Sequence, residues 1–529
     1  ILLGTLVQEA TEKLHQAEPQ GLSTLAWALA TLALKEANFF EVLAKEVVLK
    51  VRGLSPQGLA NVAWSFATAR AREPGLLRAV AGEAVGQRAG LKPQELSNLM
   101  WAFAHLSMKD IHTCRALSAR AIADLQKFKT QELCNVAWAL ATLSVEDASL
   151  FGAVARVFAD APAVAFNTVD LSNIAWAFAT VQIDDPELFH RVAQRARVAI
   201  AKFKSKELSS LAWAFAANVV ADQALFAAIA HEAVPRVQEH GAQGLSSLLW
   251  SYAKCGIVRG DLIDVFSTAC LARVQDFKPQ DLSNTAWALA TLEFSRPKLF
   301  HGIAQQSLEK IEDFSEQHLS NLVWAFATLS VEDRELFDTV ATHAIDRIHG
   351  FSPAGLCQVA WSFAEFRVRH TQLFHALAQQ ALRDLADFTP EGLLSLIWCF
   401  NRLGFINLEL FEGIQGQLVF NFGRVLDRSE VAPKVPQLAE RPSRASSVGQ
   451  PVVVLDLPDR LVVHKPRGWQ ADTEEGGDLD GDAPQLSAYL RSHLPPRRWP
   501  ITADAACAQA LLHRLDVPCS GLLLVAKTY

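Results

Sequence analysis

Eleven tryptophans constrain this chain more than any other feature: Trp27, Trp64, Trp101, Trp138, Trp176, Trp213, Trp250, Trp287, Trp324, Trp361 and Trp398. Successive ones lie 37 residues apart, except for a gap of 38 between Trp138 and Trp176. Each sits in a copy of one phrase, clearest as Leu171-Ser172-Asn173-Ile174-Ala175-Trp176-Ala177-Phe178-Ala179-Thr180-Val181, which recurs from Leu22 to Leu403. A fixed period of this size is the signature of a solenoid, in which each unit buries its apolar face only against its neighbours.

Each unit reads as two helices. In Phe351-Ser352-Pro353 and Phe388-Thr389-Pro390 a hydroxyl can cap free amides while proline fits the first turn. Phe351 can staple onto Leu356, and Phe388 onto Leu393. The first helix runs through the tryptophan and ends about five residues later. A second follows, as in Glu187 to Ala201 or Glu335 to Ile348, with apolar residues at i, i+3, i+4 and i+7. Residues 1–20 read as a partial first unit with a helix over Leu2–His15. The predicted fold is mainly α: an α-solenoid of about eleven helical hairpins over residues 1–425.

At about 100° per residue, the positions seven before, three before and four after each tryptophan fall within roughly 60° of it on one side of the first helix. Three before stand Thr24, Asn61, Asn98, Asn135, Asn173, Ser210, Ser247, Asn284, Asn321, Gln358 and Ser395. Four after stand mostly threonines, with His105, Ala217, Lys254, Glu365 and Arg402 as exceptions; seven before is often glutamine. One polar stripe therefore runs from unit to unit. Two readings stay open. The amides and hydroxyls form hydrogen-bonded ladders between adjacent first helices, or they face a ligand and read one unpaired base per repeat. The tryptophans, flanked by alanines, read as core. Lys127 and Lys129, then Lys202, Lys204 and Lys206, then Lys278, cluster where one unit hands over to the next. They read as a solvated edge or as a phosphate-contacting rim.

The chain has 529 residues, half of them hydrophobic, with a formal charge of −7. That balance argues against a simple basic nucleic-acid binder, though not against a local groove. Eight scattered cysteines without a CxxC pair suggest neither a zinc site nor a disulfide framework, and a reducing compartment is the default. Apolar runs fall short of the roughly 20 residues that span a bilayer, so no membrane partner is expected. The first residue is Ile1, which suggests a fragment or a processed form.

Residues 426–450 carry prolines, serines and charges without periodicity and read as a linker. From Pro451 the pattern changes. Val452–Leu455 and Leu461–Val463 suggest a strand pair around Pro458-Asp459, Leu486–Leu494 a helix, and Leu522–Val525 a buried strand. Asp516 is a carboxylate two residues from Arg514; taken alone, such a pair is most often structural.

The LSNxAWAxAT phrase at a 37-residue period, over residues 20–425, resembles the octotricopeptide and heptatricopeptide repeat proteins. That resemblance implies an α-solenoid, single-stranded RNA as ligand, and a mitochondrion or chloroplast as location. VVHKPRGW and HRLDVPCSGLLLVAKT, over residues 451–529, resemble the two N-terminal motifs of RluA/RsuA-type pseudouridine synthases. This second resemblance implies a partial α+β domain that isomerises uridine in RNA without cofactor or metal. Asp516 would be its catalytic residue, with Arg514 beside it and His513, Lys465, Gly468, Ser520 and Gly521 in support. Cys519 stands where the family usually has threonine. The domain's downstream tyrosine motif would lie beyond Tyr529, so the half-domain is expected to be inactive alone. The expectation is thus an RNA-modification protein whose solenoid binds RNA. Two rivals remain: a non-catalytic organellar RNA-binding factor, and a protein–protein scaffold.

Overall fold

A computed structural model describes residues 2–34, 36–86, 90–162, 165–428, 451–456, 460–465, 486–493 and 521–526. The chain divides into two compact units, residues 1–381 with 395–406, and residues 382–394 with 407–529.

In the first unit the helix Leu2–Lys13 precedes tandem hairpins whose first helices begin with Pro19–Thr31, Pro56–Ala69 and Pro93–His105 and recur at the tryptophan period. Their start signals work as the sequence suggests. Ser55 Oγ accepts from Gly58 N at 3.1 Å and Ser352 Oγ from Gly355 N at 3.2 Å. Elsewhere the cap is reversed: Glu95, Glu132 and Glu207 reach back to the amides of Lys92, Lys129 and Lys204 at 2.7 to 3.0 Å. Each first helix stops in a left-handed residue six past its tryptophan, from Ala33 to Arg367, at φ between 52° and 64°. The following amide returns to the helix, as Met108 N does to Phe103 O at 2.9 Å. This is a Schellman-type ending. Val219 adopts it at φ 56° despite its β-branched side chain, which is strained there.

First helices pack on first helices along the array, and second helices pack on second helices less extensively. Between the layers lies an aromatic core. In four repeats a phenylalanine of the second helix meets the phenylalanine two past the next tryptophan, edge to face: Phe40 on Phe66, Phe151 on Phe178, Phe189 on Phe215 and Phe300 on Phe326, with centroids 4.9 to 5.1 Å apart. All eight rings are buried.

A third device ties five of the hairpins together. A basic residue 23 past the tryptophan, at the end of the second helix, reaches back 33 to 35 residues to main-chain carbonyls ahead of its own first helix. Lys50 donates to His15 O and Ala17 O, Arg236 to Phe203 O, Arg273 to His240 O, Lys310 to Gln275 O and Phe277 O, and Arg347 to Phe314 O, at 2.6 to 3.0 Å. Where that position is Ala199, Arg195 one turn earlier donates to Ala161 O at 2.7 Å. These charge-assisted bonds satisfy carbonyls that no helix uses.

The second unit holds the helix Leu408–Arg428, whose buried Leu410, Ile414 and Leu418 share one stripe. It also holds a three-stranded antiparallel sheet of β1 (Val452–Asp456), β2 (Arg460–Lys465) and β3 (Gly521–Ala526) in the order β1-β2-β3, and the short helix Leu486–His493. The strand pair, short helix and last strand expected from the sequence are all present. Among the described residues no helix is long and apolar enough to cross a membrane.

Candidate nucleic-acid interface

The tryptophans are not core. Trp27 and Trp398 are 48% and 41% exposed, and the nine between them are half-buried. The flanking alanines mislead here. Ala175 and Ala177 are fully buried, but they sit about 100° to either side of Trp176, where neighbouring first helices press close. Small side chains permit that approach, and the indole between them is directed to the surface.

Six of these indoles form a ladder. Trp138, Trp176, Trp213, Trp250, Trp287 and Trp324 follow one another with ring centroids 6.3 to 6.5 Å apart and planes inclined by 26° to 38°. Packed helix axes are about 8–10 Å apart, so the rings sit closer than the helices that carry them.

The polar stripe lies beside the ladder. Thr24 is exposed, and Asn61, Asn98, Asn135, Asn173, Ser210, Ser247, Asn284, Asn321, Gln358 and Ser395 are half-exposed. Among the described residues, no hydrogen bond joins these side chains from one repeat to the next. Three of the threonines four past the tryptophan turn back on their own helix: Thr31 Oγ1 donates to Trp27 O at 2.8 Å, Thr142 Oγ1 to Trp138 O at 2.9 Å and Thr328 Oγ1 to Trp324 O at 2.8 Å, whereas the buried Thr68 and Thr180 hydroxyls have no hydrogen-bond partner. Stripe and ladder together line recesses. A groove of about 670 Å³ spans four repeats, with Trp176, Trp213, Ser210, Ser247 and Asn284 in its wall. A recess at the amino-terminal end is lined by Thr24, Trp27, Asn61, Trp64 and Asn98.

The handover lysines do not form one rim. Lys206 lines the large groove, seven residues before Trp213, where most repeats carry glutamine. Lys202, four residues earlier and across a 3₁₀ turn, lines a separate cleft with Arg191 and Arg195 of a second helix. Lys127 is paired with Asp124 at 2.5 Å, and Lys129 is exposed at a helix start.

Two histidines depart from the repeat, His240 in the groove wall and His105 outside it. His240 stands ten before its tryptophan, where Phe203, Phe277, Phe314, Phe351 and Phe388 stand in other repeats. It is buried, with Nδ1 3.1 Å from Ser209 Oγ, and burial lowers its pKa to about 4, so the ring is neutral at neutral pH. Ser246 Oγ donates to the buried Asp281 at 2.9 Å. His105 occupies a threonine position, and its ring lies between Trp101 and Trp138 at centroid distances of 3.8 and 5.0 Å. Desolvation there lowers its pKa.

In the second unit β2 and β3 pair so that Lys465 lies opposite Gly521, which brings the ends of the two synthase-like motifs together; Lys465 is buried. Gly468, His513, Arg514, Asp516 and Ser520 lie outside the described residues.

Residues 6–297, 201–403 and 297–439 match the family described as RNA-editing substrate-binding complex 6 protein. The chain belongs to that family. The family match runs across the whole tryptophan array, so the RNA-editing substrate-binding complex 6 family is carried here by helical repeats. No curated protein matches the chain. Among solved structures, a homology model of the full-length AP-3 complex in an intermediate open conformation aligns over 78% of this chain and 80% of its own, at 9% identity and a TM-score of 0.24.

Proposed function

We propose that the solenoid is an RNA-binding repeat array that holds single-stranded RNA along its first-helix face, as a non-catalytic factor in RNA processing. The observation that carries this reading is the surface of half-exposed amides, hydroxyls and indoles, unbonded between repeats, over recesses that span three and four repeats. Short donor and acceptor side chains at one position per repeat suit the edges of unpaired bases. The family is named for a complex that binds RNA-editing substrates, and the octotricopeptide-like phrase points to an organelle, mitochondrion or chloroplast. RNA held in such an assembly would be its partner. The test is binding to a pool of random single-stranded RNA at defined salt, with a duplex as control. Replacing Asn98, Asn135 and Asn173 with alanine should weaken binding or relax sequence preference while helix content holds. Absence of binding at low salt would favour the protein–protein scaffold.

A second reading adds chemistry: a pseudouridine synthase domain that isomerises uridine through Asp516. What supports it is the HRLDVPCSGL phrase and the register that sets Lys465 against Gly521. The target nucleotide would have to leave its stack to reach the carboxylate. With the complete domain present, Asp516→Asn should abolish pseudouridine formation and leave RNA binding intact. Activity persisting in that variant would remove Asp516 from the site.

A further inference from the structure

We propose that the six-indole ladder from Trp138 to Trp324 is a stacking track for the bases of an unpaired RNA strand, taking flat rings in the gaps between its rungs. This rests on the RNA-binding reading above and adds where the bases sit. Three observations carry it.

The first is spacing. Stacked bases rise by about 3.4 Å per nucleotide. Rungs 6.3 to 6.5 Å apart therefore leave close to two stacking separations, which is room for one ring between two indoles after a small outward shift. The second is that the protein already fills one such gap. Where the residue four past the tryptophan is a ring, in His105, it lies between Trp101 and Trp138 and contacts both. Arg402, at the same position in its repeat, sets its planar guanidinium over Trp398 at 5.2 Å from the ring centre. Planar groups thus seat on Trp101, Trp138 and Trp398. The third is what the ladder repeats supply instead. Thr142, Thr180, Ala217, Lys254 and Thr291 bring no ring to the spaces beside their indoles. Cationic groups on this face, Lys206 in the groove and the exposed Lys254, suit a phosphate backbone, while Asn173, Ser210 and Ser247 beside the rungs suit base edges. Stacking on aromatic side chains is tolerant of sequence because every base has a π-face. The amides, not the indoles, would supply preference.

The test pairs two proteins with two oligonucleotides. A short single-stranded RNA and the same strand with abasic central positions are titrated against the wild-type chain and against Trp213→Leu/Trp250→Leu. The intact strand should bind the leucine variant about five-fold to a hundredfold more weakly, and the abasic strand should bind both proteins alike. Trp213→Phe/Trp250→Phe keeps the rings and should retain most of the affinity. Equal binding of the intact strand by wild type and leucine variant overturns the proposal, as does an equal loss on both strands. If the leucine variant fails to fold, the wild type still tests the proposal, because equal binding of the intact and abasic strands overturns it. A wild-type chain that binds neither strand refutes the RNA-binding reading itself, a result distinct from binding that ignores the indoles.

Discussion

Two aromatic rows run through the first helices at the same 37-residue period, and they do opposite things. The row two past the tryptophan, including Phe66, Phe178, Phe215 and Phe326, is buried edge to face against second-helix phenylalanines. The tryptophan row is half-exposed, and from Trp138 to Trp324 its indoles follow one another along the surface. Two residues along a helix are about 200° apart, so the rows occupy opposite faces of one helix. Periodicity shows that a residue recurs; the direction it faces depends on what packs around it.

The sharpest way to break that comparison is to remove one ring from each row of the same repeat. Phe215→Ala should cost about 3–5 kcal/mol in denaturant unfolding, and Trp213→Leu less than half as much. Equal costs would mean that the tryptophans are core after all.

His240 offers a second contrast, since it stands in the buried row's neighbourhood where other repeats place phenylalanine. Its folded pKa is about 4, against 6.5 for a free side chain, chiefly because burial disfavours the charged ring. Between those values the unfolded chain binds a proton that the folded chain does not. The stability it contributes is therefore full above about pH 6.5 and is lost as pH falls toward 4. His240→Phe should flatten that fall, by on the order of 3 kcal/mol at the acid end, read as melting temperature against pH.

Smaller effects come from the devices that hold the hairpins. Arg347→Ala frees Phe314 O of its charged donor and should cost about 1–2 kcal/mol. Val219→Gly relieves a β-branched residue at positive φ and should raise stability by about 1 kcal/mol. The smallest effect on folding should come from His105→Ala, which empties the gap between Trp101 and Trp138. On the stacking account it extends the open track by one position and strengthens RNA binding severalfold. Unchanged affinity would confine binding to the stripe.

Much of the solenoid was legible in the sequence. The period, the two helices per unit, the Ser352 and Thr389 caps and the polar stripe all follow from residue spacing, and the caps recur in the structure. Three things were not legible. The outward tryptophans were hidden because the first helix is apolar nearly all round, so its pattern does not show which apolar face is left uncovered. The left-handed turn six past each tryptophan was hidden because only Gly256 and Gly404 carry the residue that announces it. The staples of Lys50, Arg236, Arg273, Lys310 and Arg347 were hidden because their acceptors are main-chain carbonyls, which have no side-chain signature. Of the candidate synthase residues, the two described ones, Lys465 and Gly521, are joined by the sheet register.

The most direct measurement of the central claim is tryptophan emission from the chain during titration with single-stranded RNA at fixed salt. If RNA lies along the first-helix face, emission changes saturably with binding, and the half-exposed indoles become less accessible to a soluble quencher. RNA that binds while emission and quencher access stay as they were would place the interface elsewhere and contradict the account.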